Sequence, residues 1–180
     1  QFALMGDIFA QCVLGIKKPK IGLLNVGTED IKGNPVVKQA YENLKRIENQ
    51  INFYGFVEGD DINKGIVDVV VTDGFSGNIA LKTAEGVADL IFTYLKNAYQ
   101  SSFISKLGYI LSKPALNRFK TRIDPRKYNG AVLLGLNGII VKSHGGTDAF
   151  GFSNAISVAI SLIKNNYVNT IENQLTRKQE

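Results

Sequence analysis

Three short, mostly apolar runs of residues constrain the fold of this chain most strongly, at 21–26, 51–57 and 67–72. Each run has the length of a strand and is too nearly continuous for a strand with one face in water, so we predict three buried strands. Between the first two, Asn34 is a good N-cap residue and Pro35 suits the first position of a helix. Buried strands separated by an amphipathic helix indicate a mostly parallel sheet with covered faces, and therefore an α/β protein.

The remaining sequence predicts two helical regions and a hairpin. A helix is expected over 76–98, and Pro114 should break the basic region that follows into two helical pieces. Strands at 131–136 and 139–143 would form a tight hairpin around an Asn-Gly turn. The apolar stretch at 149–163 predicts a buried helix. On the helix expected over 76–98, the residues expected to face inward are Val87, Leu90, Ile91, Tyr94 and Leu95.

The order of elements predicts the domain organisation. No internal repeat or long linker interrupts it, so we expect one α/β domain over 1–180, with a basic and aromatic helical insertion at 94–123. The chain opens directly on an apolar, helix-like stretch without an initiator methionine. We therefore expect it to be part of a longer protein.

Composition excludes several classes of protein. With 44% hydrophobic and 21% charged residues, 18 Gly and 4 Pro, the chain is neither collagen-like nor intrinsically disordered. Its apolar runs are shorter than a membrane-spanning helix requires. One Cys and one His allow no internal disulfide and no His/Cys zinc site, so we expect no metal and a reducing, cytoplasmic setting. Without a G-x-G-x-x-G or P-loop motif, we also expect no cofactor.

Positive charge gathers between residues 90 and 123, where aromatic residues alternate with basic ones and no acidic residue occurs. One interpretation is a helical pair that forms a dimer and leaves a solvated basic rim. The other is peripheral attachment to an anionic membrane, with the lysines on lipid headgroups. Nucleic acid is not expected, because the aromatic residues follow helical spacing without a binding motif. The apolar residues of this dimer or membrane surface are Phe103, Ile104, Leu107, Tyr109, Ile110 and Leu111.

Glycines and polar side chains follow the predicted strands, at the sheet edge where α/β proteins bind ligands. Asn25 and Gly27 follow the first strand, and the stretch 73–78 follows the third and leads directly into a helix. Glycines allow close approach of the backbone to a ligand, and free N–H groups in a first helical turn bind anions. Two interpretations stay open, an anion site and an ordinary strand-to-helix turn capped by Ser76 or Asn78.

The same stretch approaches the G-x-S-x-G nucleophile elbow, although Asn78 takes the place of the last glycine. A serine hydrolase built on it would use Ser76 as the nucleophile and His144 as the base, with Asp148 or Asp73 orienting the base. His144 lies in a glycine-rich turn that follows a predicted strand, which favours a functional position.

Five spaced blocks carry a resemblance to a known family. They are Gly22-Leu23-Leu24-Asn25-Val26-Gly27 with Lys32-Gly33-Asn34, Phe56-Val57-Glu58-Gly59, Asp73-Gly74-Phe75-Ser76-Gly77-Asn78 with Lys82-Thr83 and Glu85-Gly86, Leu133-Leu134-Gly135, and Ser143-His144-Gly145. Together they resemble the phosphate acyltransferases of bacterial phospholipid synthesis, the PlsX family, in the family's own order. Two positions depart from the family pattern, since Asp60 stands where arginine is usual and Gly146 where serine is usual.

The resemblance implies a homodimeric enzyme that moves a long-chain acyl group from acyl carrier protein to inorganic phosphate. The product, acyl phosphate, would feed a membrane glycerol-3-phosphate acyltransferase. The implied fold is a three-layer α/β/α architecture similar to isocitrate and isopropylmalate dehydrogenases, with a protruding helical pair. This chain would be the carboxyl-terminal part of a longer cytoplasmic enzyme. Peripheral contact with the inner face of the membrane would suit delivery of the product, and the acidic carrier protein would compete for the same basic surface.

Phosphate can attack a thioester itself, so this reaction needs donors that position phosphate and stabilise an oxyanion, and no protein nucleophile. We hypothesise that backbone N–H groups around Ser76, Gly77 and Asn78 hold phosphate or the oxyanion. The side chains of Asn78 and Lys82 would add donors, while Asp73 would orient a substrate or a neighbouring donor. The candidate catalytic residues are Asp73, Asn78, Lys82 and His144, and the candidate phosphate- or substrate-binding residues are Asn25, Gly27, Gly74, Ser76 and Gly77.

Two other classes remain open beside the acyltransferase. A hydrolase or thioesterase that uses Ser76 would cleave thioesters without phosphate. A non-catalytic module would bind phosphate or carrier protein and turn over nothing.

Overall fold

The computed structural model describes residues 1–176 and divides the chain into two compact units. One unit comprises Gln1–Thr72 together with the chain from Tyr128 onward, and the other comprises Asp73–Lys127. In chain order the helices are α1 (Phe2–Phe9), α2 (Pro35–Lys45), α3 (Asp61–Lys64), α4 (Gly74–Gln100), α5 (Phe103–Arg122), α6 (Ala149–Lys164) and α7 (Tyr167–Thr176). The strands are β1 (Lys20–Leu24), β2 (Asn52–Val57), β3 (Val69–Val71), β4 (Ala131–Val132) and β5 (Val141–Lys142).

The three predicted buried strands form a parallel sheet in the first unit, in the order β2-β1-β3. The central strand β1 places Ile21 opposite Phe53 of β2 and Val69 of β3. It is also the most buried strand, because both of its edges are paired. The α/β class and the mostly parallel sheet are therefore confirmed, whereas the three-layer arrangement and the dehydrogenase-like topology stay predictions.

The core of the first unit joins this sheet to α1 and α2. Asn34 caps α2 as predicted, since its side-chain oxygen accepts the Val37 N–H at 2.9 Å and Pro35 occupies the first turn. Tyr41 of α2 stacks on Phe56 of β2 with ring centroids 4.2 Å apart. The buried residues of this core cluster are Ala3, Leu4, Ile21, Leu23, Leu44, Ile51 and Phe56.

A second core cluster joins α1, α6 and α7 beside a small hairpin. Strands β4 and β5 pair antiparallel, with Val132 opposite Val141, so the two predicted strands do pair. They are shorter than predicted, and the long connection 133–140 joins them, so the tight turn expected at Asn137-Gly138 is wrong. Helix α6 was predicted to be buried all round, but in the described chain it buries one stripe and leaves Ile163 65% exposed. Its buried residues are Gly151, Ala155 and Leu162.

The second unit is a pair of helices, and it differs from two of the predictions. Neither α4 nor α5 buries a residue in the described chain, so the inward face expected on α4 is wrong, and Tyr94 is 65% exposed. Two helices cover each other along one shared face, which leaves their other faces open. Helix α5 also continues through Pro114, and the observed break lies earlier, where the Ser102 hydroxyl accepts the Ser105 N–H.

The second unit, 73–127, contains the whole of the predicted insertion at 94–123. It also contains the start of α4, which was expected in the body of the domain. The single-domain organisation over 1–180 stays a prediction. In the described residues, no helix has the length and apolar character needed to cross a membrane.

Candidate active site

The carboxyl end of β1 leads into a tightly constrained loop. Asn25 is buried, and its backbone N–H donates to the Val57 carbonyl at 2.9 Å, which ties the loop to β2. Its side-chain amide donates to the Lys32 carbonyl at 3.2 Å. Gly33 has a φ of +96°, and a Cβ at this position would collide with the Asn25 side-chain oxygen. Asn25 therefore stabilises the conformation of the loop that connects β1 to the N-cap of α2.

Gly27 lies in the same loop, beneath an ion pair. Lys32 Nζ lies 2.9 Å from Glu29 Oε1, and a Cβ on Gly27 would collide with the Lys32 side chain. The pairing raises the pKa of Lys32 and lowers the pKa of Glu29. The cation at this sheet edge is thus partly neutralised by a neighbour, and an anion bound there would compete with Glu29.

The turn after β2 is also satisfied internally. Asp61 accepts the Glu58 N–H at 2.9 Å, and Lys64 bridges Asp60 at 2.6 Å and Asp61 at 3.0 Å. Asp60, the position where the resembled family usually has arginine, therefore presents an acid paired to Lys64. This turn offers an approaching phosphate no free cation of its own.

The start of α4 follows β3 directly and is organised by Asp73. One carboxylate oxygen of Asp73 accepts the N–H groups of Phe75 and Ser76, both at 2.9 Å, and its backbone carbonyl accepts the Gly77 N–H at 3.0 Å. A hydrogen bond from the Ser76 side chain and those from the backbone N–H groups of Ser76 and Phe75 lower the pKa of the Asp73 carboxyl. The carboxylate thus occupies the amide cradle in which phosphate was expected.

Asn78 and Lys82 lie one helical turn beyond that cap. They are four residues apart, so both project from one face of α4, and both are exposed. Neither side chain makes a hydrogen bond or ion pair with any other residue among 1–176. An amide and an ammonium group are therefore open to an anion here. Gly74 opens the same helix with empty space where a Cβ would lie.

His144 lies in the loop that joins β5 to α6, and its ring is exposed. The Gly146 N–H donates to His144 Nδ1 at 3.2 Å, so Nδ1 acts as an acceptor and the ring proton of the neutral form lies on Nε2. The backbone N–H of His144 donates to the side-chain oxygen of Asn129 at 2.9 Å. The arrangement makes His144 a hydrogen-bond donor at Nε2.

The predicted site residues fall into both compact units. Asn25, Gly27 and His144 belong to the first unit, and the residues from Asp73 to Lys82 belong to the second. In the part of the first unit that the structure describes, no hydrogen bond joins the Asn25 loop to the His144 loop. All the assigned site roles stay predictions.

Sequence reasoning missed one buried polar residue near this site, Asn129. An isolated asparagine between a tyrosine and a glycine carries no pattern, so its role becomes visible once the fold joins it to the His144 loop. No group of three His, Cys, Asp or Glu residues suited to a metal ion occurs in the described part of the chain.

The predicted dimer or membrane surface lies on α5 and is strongly exposed. Phe103 is 84% exposed and Ile104 82% exposed, and contiguous exposed apolar surface of this kind marks interaction sites. Between α4 and α5 lies a cavity of about 970 Å³ whose lining includes Lys96, Lys106 and Lys120. The second unit therefore combines apolar and basic surface, as its sequence predicted.

Fold and site together define an α/β protein with a parallel sheet whose strand ends carry glycine-rich, polar turns. A family model described as "Fatty acid synthesis protein" matches residues 1–170. The chain is 58% identical over 177 residues to a phosphate acyltransferase from Paramagnetospirillum magneticum, which covers 98% of this chain and 50% of that protein. It is 51% identical over 179 residues to a phosphate acyltransferase from Rhodospirillum rubrum, which covers 99% of this chain and 51% of that protein.

A phosphate acyltransferase from Rhodospirillum centenum is 54% identical over 179 residues, which cover 99% of this chain and 50% of that protein. The chain belongs to this fatty acid synthesis family, and the resemblance seen in its sequence blocks is confirmed. It spans about half the length of the curated relatives that it matches.

Proposed function

We propose that the protein is an acyltransferase that moves a long-chain acyl group from acyl carrier protein to inorganic phosphate and so forms acyl phosphate for phospholipid synthesis. Family membership and the names of the relatives, which are phosphate acyltransferases, support acyl transfer involving phosphate. The structural observation that carries the proposal is the pair of open donors, Asn78 and Lys82, on the helix that starts at the end of β3. Helix starts that follow sheet strands are where α/β proteins bind phosphate groups.

The proposed step needs no protein nucleophile. A phosphate oxygen attacks the thioester carbonyl carbon, a C–O bond forms, and the C–S bond breaks. The carrier's sulfur leaves as a thiolate and takes up a proton from solvent. Asn78 and Lys82 would hold the phosphate or the negative charge that develops on the carbonyl oxygen.

Asp73 acts on this step indirectly. Its carboxylate is fixed by the first amides of α4, and a second anion in the same cradle would be repelled. The bound phosphate would therefore lie beyond the cap, toward Asn78 and Lys82. Asp73 would hold the turn.

Thiol release from long-chain acyl carrier protein tests the proposal, measured with and without inorganic phosphate on this chain and on a full-length curated relative. Phosphate-dependent release would support acyl transfer. Thiol release that does not depend on phosphate and is lost in Ser76→Ala would establish the hydrolase instead. Phosphate binding without release by either protein would establish a non-catalytic module and overturn the proposal.

We also propose a second copy of the chain as the partner of α5. Phe103, Ile104 and Leu107 form an apolar strip at helical spacing, and a matching strip on a second copy would cover it. An anionic membrane surface of the cytoplasmic face is the competing partner, because the lysines of the same unit would meet its headgroups. Carrier protein and the membrane acyltransferase that consumes acyl phosphate complete the proposed set of partners.

A further inference from the structure

Asn129 is a polar side chain in the core of the first unit. It is 9% exposed and directly precedes Gly130 and strand β4. Burying an amide of this kind is unfavourable unless its donors and acceptor all find partners. Every polar atom of the Asn129 side chain does find one.

The partners of Asn129 all lie on the segment that carries His144. Its side-chain nitrogen donates to Ser143 Oγ at 2.8 Å and to the Gly151 carbonyl at 2.8 Å, and Thr147 Oγ1 lies 3.4 Å away. Its side-chain oxygen accepts the backbone N–H of His144 at 2.9 Å. One amide therefore joins the end of β5, the loop and the first turn of α6.

The loop that Asn129 holds also fixes the imidazole ring. The Thr147 N–H donates to the His144 carbonyl at 3.1 Å, which closes the turn. Within that turn the Gly146 N–H points at His144 Nδ1, 3.2 Å away. A donor at Nδ1 favours the tautomer with its proton on Nε2, the exposed side of the ring.

We propose that Asn129 is a positioning residue, which holds the 143–147 loop so that neutral His144 presents an Nε2–H donor to the anionic group of the substrate. This inference rests on the proposed function and deepens it, because a phosphate oxygen or a thioester oxyanion is the acceptor that such a donor suits. Asn129 itself lies within the core and touches no substrate in this account. Its effect passes through the backbone of His144 and the closed turn.

The tautomer can be measured without any assay of activity. His144 is the one histidine of the chain, so its two ring nitrogens give an unambiguous pair of signals in a long-range proton–nitrogen NMR spectrum of the full chain. We expect an unprotonated Nδ1 and a protonated Nε2 in the unsubstituted chain at a pH where the ring is neutral. Signals averaged between the two tautomers would overturn the inference, whatever the enzyme activity proves to be.

Asn129→Asp tests the role of the amide, because it keeps the shape and replaces the donors with acceptors. We expect the fixed tautomer to be lost and kcat for phosphate-dependent thiol release to fall at least tenfold, with a smaller change in KM. Asn43→Asp, an exposed residue of α2, is the matched control and should change neither. If Asn129→Asp fails to fold, Asn129→Ser, which keeps a short donor, takes its place.

A double substitution separates positioning from general stability. In a His144→Ala background, Asn129→Asp should have no further effect on kcat, because the group that it positions is gone. If the fold-losses in kcat of the two single variants multiply in the double variant, Asn129 acts independently of His144, and the inference is overturned. If neither the unsubstituted chain nor a full-length relative releases thiol, the proposed function fails, while the NMR spectrum of the chain still decides the position of the proton.

Discussion

Asn78 is the residue on which the proposed chemistry depends most directly. Asn78→Ala removes an open amide donor from α4 without disturbing any hydrogen bond to a described residue, so the fold should persist. Loss of one oxyanion or phosphate donor of this kind costs on the order of tenfold or more in turnover. Steady-state kinetics with phosphate as the varied substrate measure this loss, with Asn43→Ala on α2 as the control. An unchanged rate would remove Asn78 from the mechanism.

Tyr167 gives a prediction for stability, because its buried hydroxyl has no hydrogen-bond partner among the described residues. Tyr167→Phe should therefore stabilise the chain at neutral pH by about 1 kcal/mol, since an unsatisfied buried donor is removed. Urea unfolding measures this difference. Tyr128→Phe, at a side chain 78% exposed, is the control and should change little.

The same residue predicts how stability changes in alkali. Burial raises the pKa of Tyr167 to about 12, above its ordinary value of 10.0. The unfolded chain therefore loses this proton first, so the contribution of neutral Tyr167 is complete below pH 10.0 and is lost as the pH rises toward about 12. Tyr167→Phe should flatten this part of the stability profile. An identical alkaline slope in both proteins would contradict the assignment.

At the scale of single residues, sequence reasoning succeeds where a local rule decides the outcome. Asn34 is a cap because its side chain meets its own helix three residues later. Sequence reasoning identified Asp73 as a site residue but did not identify it as the N-cap of α4. Ser76 and Asn78 in the same turn are also suitable N-cap residues, so the sequence alone does not decide among them. The role of Asn129 could not be predicted from the sequence, since its hydrogen-bond partners are up to 22 residues away along the chain.

At the scale of elements, the contact between β1 and its neighbours gives a test of the sheet. A Cβ on Gly22 would lie 2.7 Å from Val57 and 3.2 Å from Val67, inside the packed sheet. Gly22→Ala should therefore destabilise the chain by about 1 to 3 kcal/mol, because β-branched neighbours have little freedom to move. Thermal and urea unfolding measure the loss. Gly59→Ala, where the added Cβ meets open space, should stay close to the parent chain, and an equal loss in both would refute this account of β1.

The positions of the sheet strands were predicted better than the burial of the helices. The runs that became β1, β2 and β3 are apolar enough to specify burial alone, and their parallel pairing follows from the helix between the first two. Pro114 misled the prediction for α5, because a proline removes one hydrogen bond but a long helix tolerates the loss. The burial expected for α4 and α6 depends on what packs against them, which their own sequence does not contain.

At the scale of the whole molecule, the exposed strip on α5 predicts self-association. We expect the chain to sediment with twice the 19.7 kDa mass of one copy, because burial of Phe103, Ile104 and Leu107 would remove apolar surface from water. Leu107→Glu should produce monomers, whereas Val36→Glu, at an apolar residue of α2 that is 76% exposed, should not. A monomer that floats with anionic vesicles and stays behind with neutral ones would contradict the dimer and favour the membrane.

Formation of acyl phosphate is the central claim, and labelled phosphate tests it most directly. A full-length relative and this chain are given long-chain acyl carrier protein and oxygen-18 phosphate, and the products are identified by mass spectrometry. We expect acyl phosphate that carries the labelled oxygens, formed at the same rate as free carrier thiol and in smaller amount with Asn78→Ala. Free fatty acid carrying a solvent oxygen, with no labelled acyl phosphate at any time, would contradict it.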